Sequence, residues 1–284
     1  MNRFLIAGCQ RSGTTLMRLL LGSHSEITCI DEVLSYEMLA GNQRREESRV
    51  MGFKIPVWTE QLSEPVLRAN ELAWLCGFRD VRNFYSGEKI VFLLRNPLDT
   101  VCSMMKLKLL HSSWLERVCL PVLERKLSES EFVEAFQDDI LAATNAADRL
   151  AASGALYWKC KTGALLRYMK SGLPVHPVIY EQLVTTTATV MREVLGFLGV
   201  EWQESVLQHH RRSHSQIVGG KAMGGTDPSR SVDGESVGQW KRSLTREQIE
   251  IVRRISDPLV AELAALPEVP RPGIPFPWRA NPSP

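Results

Sequence analysis

Gly8-Cys9-Gln10-Arg11-Ser12-Gly13-Thr14-Thr15 follows the apolar run Phe4-Leu5-Ile6-Ala7 and precedes Thr15 to Leu21, a stretch apolar enough for a buried helix ended by Gly22. The order is strand, loop, helix start. A helix start gathers N–H groups without intrahelical partners at the positive end of the peptide dipoles, so this loop is suited to an anion. The spacing is that of GxxxxGK[ST], but Thr14 stands where that pattern has lysine, and the cation is Arg11, inside the loop.

That displacement bears on the chemistry. Moving the terminal group of a nucleoside triphosphate calls for Mg²⁺ and the loop lysine to neutralise its charge. A sulfuryl terminus carries a single negative charge, which Arg11 and helix amides suffice to balance without metal. A second group lies in Val91-Phe92-Leu93-Leu94-Arg95-Asn96-Pro97-Leu98-Asp99 and continues to Ser103. Asn96 is a helix cap, Pro97 suits the first helical position and Asp99 favours the first turn, so a helix starts directly after a strand. Two turns along, Ser103 lies on nearly the face of Asn96, where its hydroxyl and the Arg95 side chain can converge on one phosphate. Read singly, they are a surface arginine and a packing serine.

The elements that position these groups are short apolar runs at Ile27 to Ile30, Ile90 to Leu94 and Val175 to Tyr180, with Val50 to Lys54 a weaker one. Helical stretches lie between most of them. This predicts an α/β fold, a three-layer sandwich with a central parallel sheet and helices on both faces. Lys106 to Tyr168 reads as mostly helical. The chain of 284 residues is expected to form a single domain over residues 1–266, with a proline-rich tail over 267–284. A net charge of +2 gives no footprint for nucleic acid or an anionic membrane. No run reaches the ~20 apolar residues of a membrane span, and the six cysteines contain no CxxC pair, which together predict a cytoplasmic protein without a zinc site.

The loop Arg11-Ser12-Gly13-Thr14-Thr15, the strand-RNPxDxxxS segment, Tyr180-Glu181-Gln182-Leu183-Val184 and Gly238-Gln239-Trp240 with its basic pair resemble, in order, the P-loop-fold sulfotransferases that use 3′-phosphoadenosine 5′-phosphosulfate. The first segment, through Arg18 and on to Glu32, is most similar to tyrosylprotein sulfotransferases and related bacterial enzymes. The resemblance implies that Ser12, Gly13, Thr14 and Thr15 hold the 5′-phosphosulfate while Arg11 contacts the transferring group. It implies that Arg95 and Ser103 bind the 3′-phosphate and that Tyr180 lies near the adenosine. The product is then 3′,5′-adenosine bisphosphate, and no metal is called for.

Phe53-Lys54-Ile55-Pro56 matches the turn in which cytosolic members carry a catalytic histidine, but Pro56 takes that position. The ungapped spacing from Arg11 in the tyrosylprotein-type enzymes lands instead on Glu32. At the end of a predicted strand it is suited to take a proton from an acceptor, with Lys54 stabilising charge on the bridging oxygen. Asp31 beside it reads as a helix cap. His111 is a lesser candidate facing the acceptor, and His209-His210-Arg211-Arg212 reads as a solvated basic turn. Val218 to Gly238 holds six glycines and is read as a mobile lid in which Lys221 and Arg230 both offer a cation to the nucleotide, with Arg230 the candidate contact. The acceptor expected is a hydroxyl or amine of a small metabolite, and a homodimer is compatible with this reading. The alternatives are a P-loop small-molecule kinase and a catalytically inactive nucleotide-binding protein.

Overall fold

The computed structural model describes residues 2–32, 34–35, 49–56, 59, 87–109, 112–212, 217–218, 221–222 and 226–269. They belong to two compact units, Met1–Leu94 with Ala164–Gly234, and Arg95–Gly163 with Glu235–Pro284.

The first unit holds a five-stranded parallel sheet of β1 (Asn2–Gly8), β2 (Ile27–Ile30), β3 (Val50–Lys54), β4 (Lys89–Leu94) and β7 (Val175–Ile179), in the order β2-β3-β1-β4-β7. Each apolar run expected to be a strand is one, and the reason is burial on both faces. Phe4 and Ile6 of β1 and Val91 and Leu93 of β4 join a core with Met17 and Leu20 of α1 (Thr14–Leu21) and with Val190 and Val194 of Thr187–Leu198. On the opposite face Phe92 meets Tyr168 edge-on at 5.6 Å. Helices therefore cover both faces, as the alternation of strands and helices predicted. Pro177 is tolerated in β7 because that strand is at the sheet edge. Tyr180, expected at the strand's end, instead opens the helix Tyr180–Thr185.

The chain runs from β1 to one side of the sheet, through β2 and β3, and then crosses to the other side with β4 and β7. The reversal falls at β1, and in open parallel sheets such a reversal leaves a crevice at the carboxyl ends of the strands. Gly8, Lys54 and Leu94 are the last residues of the three strands that meet there.

The second unit is built on α2 (Pro97–Lys106), a helical series from Leu115 to Thr144, the long helix Arg149–Lys170, whose end belongs to the first unit, and the helix Arg246–Ala265. The helical reading of Lys106 to Tyr168 holds apart from the short pair β5 (Lys108–Leu109) and β6 (Ser112–Ser113). In the glycine-rich segment, β8 (Ile217–Val218) pairs antiparallel with β9 (Lys221–Ala222). The Lys221 side chain, His111 and the proline-rich residues 270–284 lie outside the described residues.

Candidate active site

The loop after β1 depends on two glycines. Gly8 has φ +130°, and a Cβ there would stand 2.4 Å from the Leu93 carbonyl oxygen. Gly13 has φ +98°, and its Cβ would stand 2.4 Å from Cδ2 of Tyr180, so the Tyr180 ring lies directly against the loop backbone. Arg11 adopts the left-handed conformation at φ +72° without being glycine, a cost of ~1–2 kcal/mol that the surrounding fold sustains. Inside the turn the Ser12 N–H and hydroxyl both donate to the Cys9 carbonyl, the N–H at 3.1 Å. Thr59 braces the loop's root: the Gly8 N–H donates to Thr59 Oγ1, and the Thr59 hydroxyl donates to the Gly8 carbonyl, both at 2.9 Å.

The helices that open the two phosphate-type motifs end differently. Gly13, the N-cap of α1, has no side chain to accept from the first turn, and no acidic residue lies in that turn. The positive end of α1 is thus left for an external anion. Asn96 caps α2 as predicted, its Oδ1 accepting from Leu98 N at 2.8 Å and from Asp99 N at 3.4 Å.

Behind the loop is a buried charge cluster. Because β2 and β3 are parallel neighbours with Ile30 opposite Phe53, the next residues, Asp31 and Lys54, come side by side at the carboxyl edge. Lys54 Nζ lies 2.7 Å from Asp31 Oδ1, 3.7 Å from Glu32 Oε2 and 3.1 Å from Thr15 Oγ1. Arg18 of α1 reaches Asp31 from the other side, Nη2 to Oδ2 at 3.6 Å, an ion pair beyond hydrogen-bond length. Arg18, Asp31 and Lys54 are all buried. Burial opposes the charge on Asp31, but Lys54 and Arg18, with hydrogen bonds from Lys54 and from the Glu32 N–H, outweigh it and hold the carboxyl below its ordinary range.

The expectation that Asp31 is a helix cap is thus incomplete. It does accept the Glu32 N–H at 2.7 Å, but it also pins two buried cations. A signal was present in the sequence, since Arg18 falls within the otherwise apolar stretch Thr15 to Leu21 and a buried arginine requires a counter-charge. Glu32, less buried than its neighbour, turns its carboxylate toward Lys54.

Arg11, Ser12, Gly13, Thr14, Thr15, Glu32, Lys54 and Tyr180 thus belong to one unit, grouped at or beside the loop. Arg95 and Ser103 belong to the other. Arg95 is buried, donating from Nη2 to the Ser236 carbonyl at 2.7 Å, while its own carbonyl accepts Trp158 Nε1 at 3.0 Å. Arg230 is half-exposed, its Nε paired with Asp233 Oδ2 at 2.7 Å. His209, expected in a solvated turn, is buried within the 3₁₀ helix Glu204–Arg211, while Arg211 and Arg212 are exposed.

A parallel sheet whose order reverses at β1, a glycine-bounded loop at that strand's carboxyl end and a helix without a side-chain cap behind it define an α/β fold of the P-loop type. Within that class the chain belongs to the sulfotransferase family, whose sulfotransferase domain matches residues 1–264. It is 27% identical over 212 residues to protein-tyrosine sulfotransferase 1 of Danio rerio, covering 72% of this chain and 55% of that one. It is 27% identical over 218 residues to protein-tyrosine sulfotransferase 2 of Gallus gallus, covering 72% and 53%. The chain spans about half the length of these curated relatives. The sulfotransferase domain from the curacin biosynthetic pathway shares the fold, with a TM-score of 0.51 at 15% identity over 90% of this chain and 97% of that one. Among the described residues no helix is long and apolar enough to cross a membrane.

Proposed function

We propose that the protein transfers a sulfuryl group from 3′-phosphoadenosine 5′-phosphosulfate to a hydroxyl or amine of a small acceptor. The observation that carries this reading is the uncapped start of α1 behind a loop whose cation is Arg11, with Lys54 held at Thr15. The loop fits such a donor, because the N-cap of α1 is a glycine with no side chain to take the first-turn amides. Ser12, Gly13, Thr14 and Thr15 would hold its 5′ end, and Arg95 and Ser103 its 3′-phosphate. Tyr180, against Gly13, would bound the adenosine side, with Arg230 a further cation for the nucleotide.

When bound, the donor supplies an electrophilic sulfur and a bisphosphate leaving group. Glu32 takes the proton from the acceptor as its oxygen or nitrogen bonds to sulfur and the bridging S–O bond to phosphate breaks. Arg11 and Lys54 offset the charge gathering on the transferring group and the bridging oxygen. The likeness to protein-tyrosine sulfotransferases in sequence supports a phenolic hydroxyl among the acceptors to try first. The five described cysteines are buried thiols not joined in disulfides, which supports a reducing compartment such as the cytosol.

The test is calorimetry with 3′,5′-adenosine bisphosphate and with ADP, followed by transfer of radiolabelled sulfate to phenols, alcohols and amines. The bisphosphate should bind at least ~10-fold tighter, and Arg95→Ala should weaken it by ~1.5–3 kcal/mol. Equal affinities for the two ligands would sink the assignment, and a Mg²⁺ requirement for binding would favour a kinase.

A further inference from the structure

We infer that Asp99 is a positioning residue whose carboxylate locks the Gly238-Gln239-Trp240 turn onto α2 and thereby sets the direction of the Arg95 guanidinium. The inference rests on the proposed 3′-phosphate role of Arg95. Every group in it belongs to the second unit.

Asp99 sits in the first turn of α2, where an acidic side chain ordinarily serves its own helix start. Here it turns elsewhere. Oδ2 accepts from Gly238 N at 2.7 Å and Oδ1 from Trp240 N at 3.2 Å, so both oxygens serve a segment about 140 residues away. Gly238 has φ +74° and precedes the short helix Trp240–Ser243, so two backbone N–H groups point to one spot. Such a turn is a small anion nest, and its anion is supplied from within the chain. The residue is 2% exposed, and charge-assisted bonds in so buried a setting are strong. Lys106 Nζ, at the other end of α2, adds a bond to Gln239 Oε1 at 3.3 Å.

The consequence passes to Arg95 through the backbone. Ser236, two residues before Gly238, gives its carbonyl to Arg95 Nη2 at 2.7 Å. The turn that Asp99 grips is therefore the turn that aims the guanidinium. The glycine-tryptophan motif acts here as a clamp on the arginine, with its amides committed to Asp99 and not to a nucleotide phosphate. The co-occurrence of RNPLD and GQW in one chain has a physical reason, since the aspartate of the first is the ligand of the second.

The experiment compares the full chain with Asp99→Asn, which keeps shape but presents an amide N–H₂ to one of the two backbone donors. Hydrogen exchange over residues 235–240 and the affinities for 3′,5′-adenosine bisphosphate and 5′-AMP are measured on both. Protection of the turn should fall at least ~10-fold, and the bisphosphate should weaken ~5- to 20-fold while AMP changes less than ~2-fold. That selectivity separates aiming from a general loss of structure, which would weaken both ligands. Gly238→Ala leaves Asp99 in place and meets no atom closer than Lys241 Cδ at 4.0 Å, but strains the left-handed turn, so it should reproduce the selective loss at about 5-fold. Unchanged protection in Asp99→Asn, or lost protection with bisphosphate affinity intact in both variants, would overturn the positioning role. If the unmodified protein binds AMP as tightly as the bisphosphate, the 3′-phosphate assignment itself fails, whatever the turn does.

Discussion

Replacing Asp31 by Asn tests the charge cluster that supports the loop. At an effective dielectric of ~20, the Lys54 pair at 2.7 Å and the Arg18 pair at 3.6 Å represent ~6 and ~5 kcal/mol of attraction before desolvation. Much of this is spent on burying the ions, but removing one partner leaves the others charged and buried, which typically costs ~3–5 kcal/mol. Two buried cations lose this partner here, although Lys54 keeps Glu32 at 3.7 Å, so a loss within that range is expected near pH 7 in urea unfolding. The pH dependence has a definite sign. Lys54 and Arg18, against burial, hold the folded Asp31 carboxyl below its ordinary value, so its contribution is fully present above an unfolded pKa of ~3.9 and is lost as pH falls through the folded value. Each pH unit between the unfolded and the folded value removes ~1.4 kcal/mol, so the gap between the two proteins should narrow as pH falls below ~3.9. A gap below ~1 kcal/mol at pH 7, or one unchanged down to pH 3, would refute the reasoning.

Three further substitutions probe the loop. Glu32→Gln should cut turnover ~10²–10⁴-fold with bisphosphate affinity nearly unchanged, and near-full turnover on the best acceptor would move the base elsewhere. Gly13→Ala places a methyl 2.4 Å from the Tyr180 ring at φ +98°, so calorimetry should record at least ~10-fold weaker nucleotide binding; retained affinity would mean that the ring moves freely. Thr59→Val removes both hydrogen bonds to Gly8 and leaves its N–H and carbonyl without them, which should lower stability by ~2–4 kcal/mol in thermal or urea unfolding.

What the sequence revealed and what it concealed divide along the range of the interactions. The strands, the loop and the Asn96 cap are written in neighbouring residues, where an apolar run, a glycine or a cap acts on its own backbone. Asp31 reads as no more than a cap because its main partner, Lys54, becomes adjacent only when β2 pairs with β3. No spacing rule links those two positions. Thr59 is likewise an isolated residue until its hydroxyl meets Gly8. The HHRR run looked solvated by composition, yet its first histidine is buried while the arginines are exposed, since burial in a 3₁₀ turn is decided residue by residue. In the glycine-rich segment the β8–β9 pair went unseen because two-residue strands carry no periodicity.

The strand order also governs what the ribosome presents. β1, the middle strand of the sheet, is synthesised before either of its neighbours, and its last partner is complete only when Leu94 has been added. At ~5–20 residues per second the wait from Gly8 to Leu94 lasts ~4–17 s, with both edges of β1 unpaired until Lys54 completes β3 and one edge unpaired until β4 is made. The loop that depends on β1 can acquire its shape only after that interval, because Gly8 is shaped against the Leu93 carbonyl. A nascent chain stalled within it would offer an open, hydrophobic strand to chaperones and to other nascent copies, so the cost of placing the anion loop at the centre of the sheet falls on biogenesis.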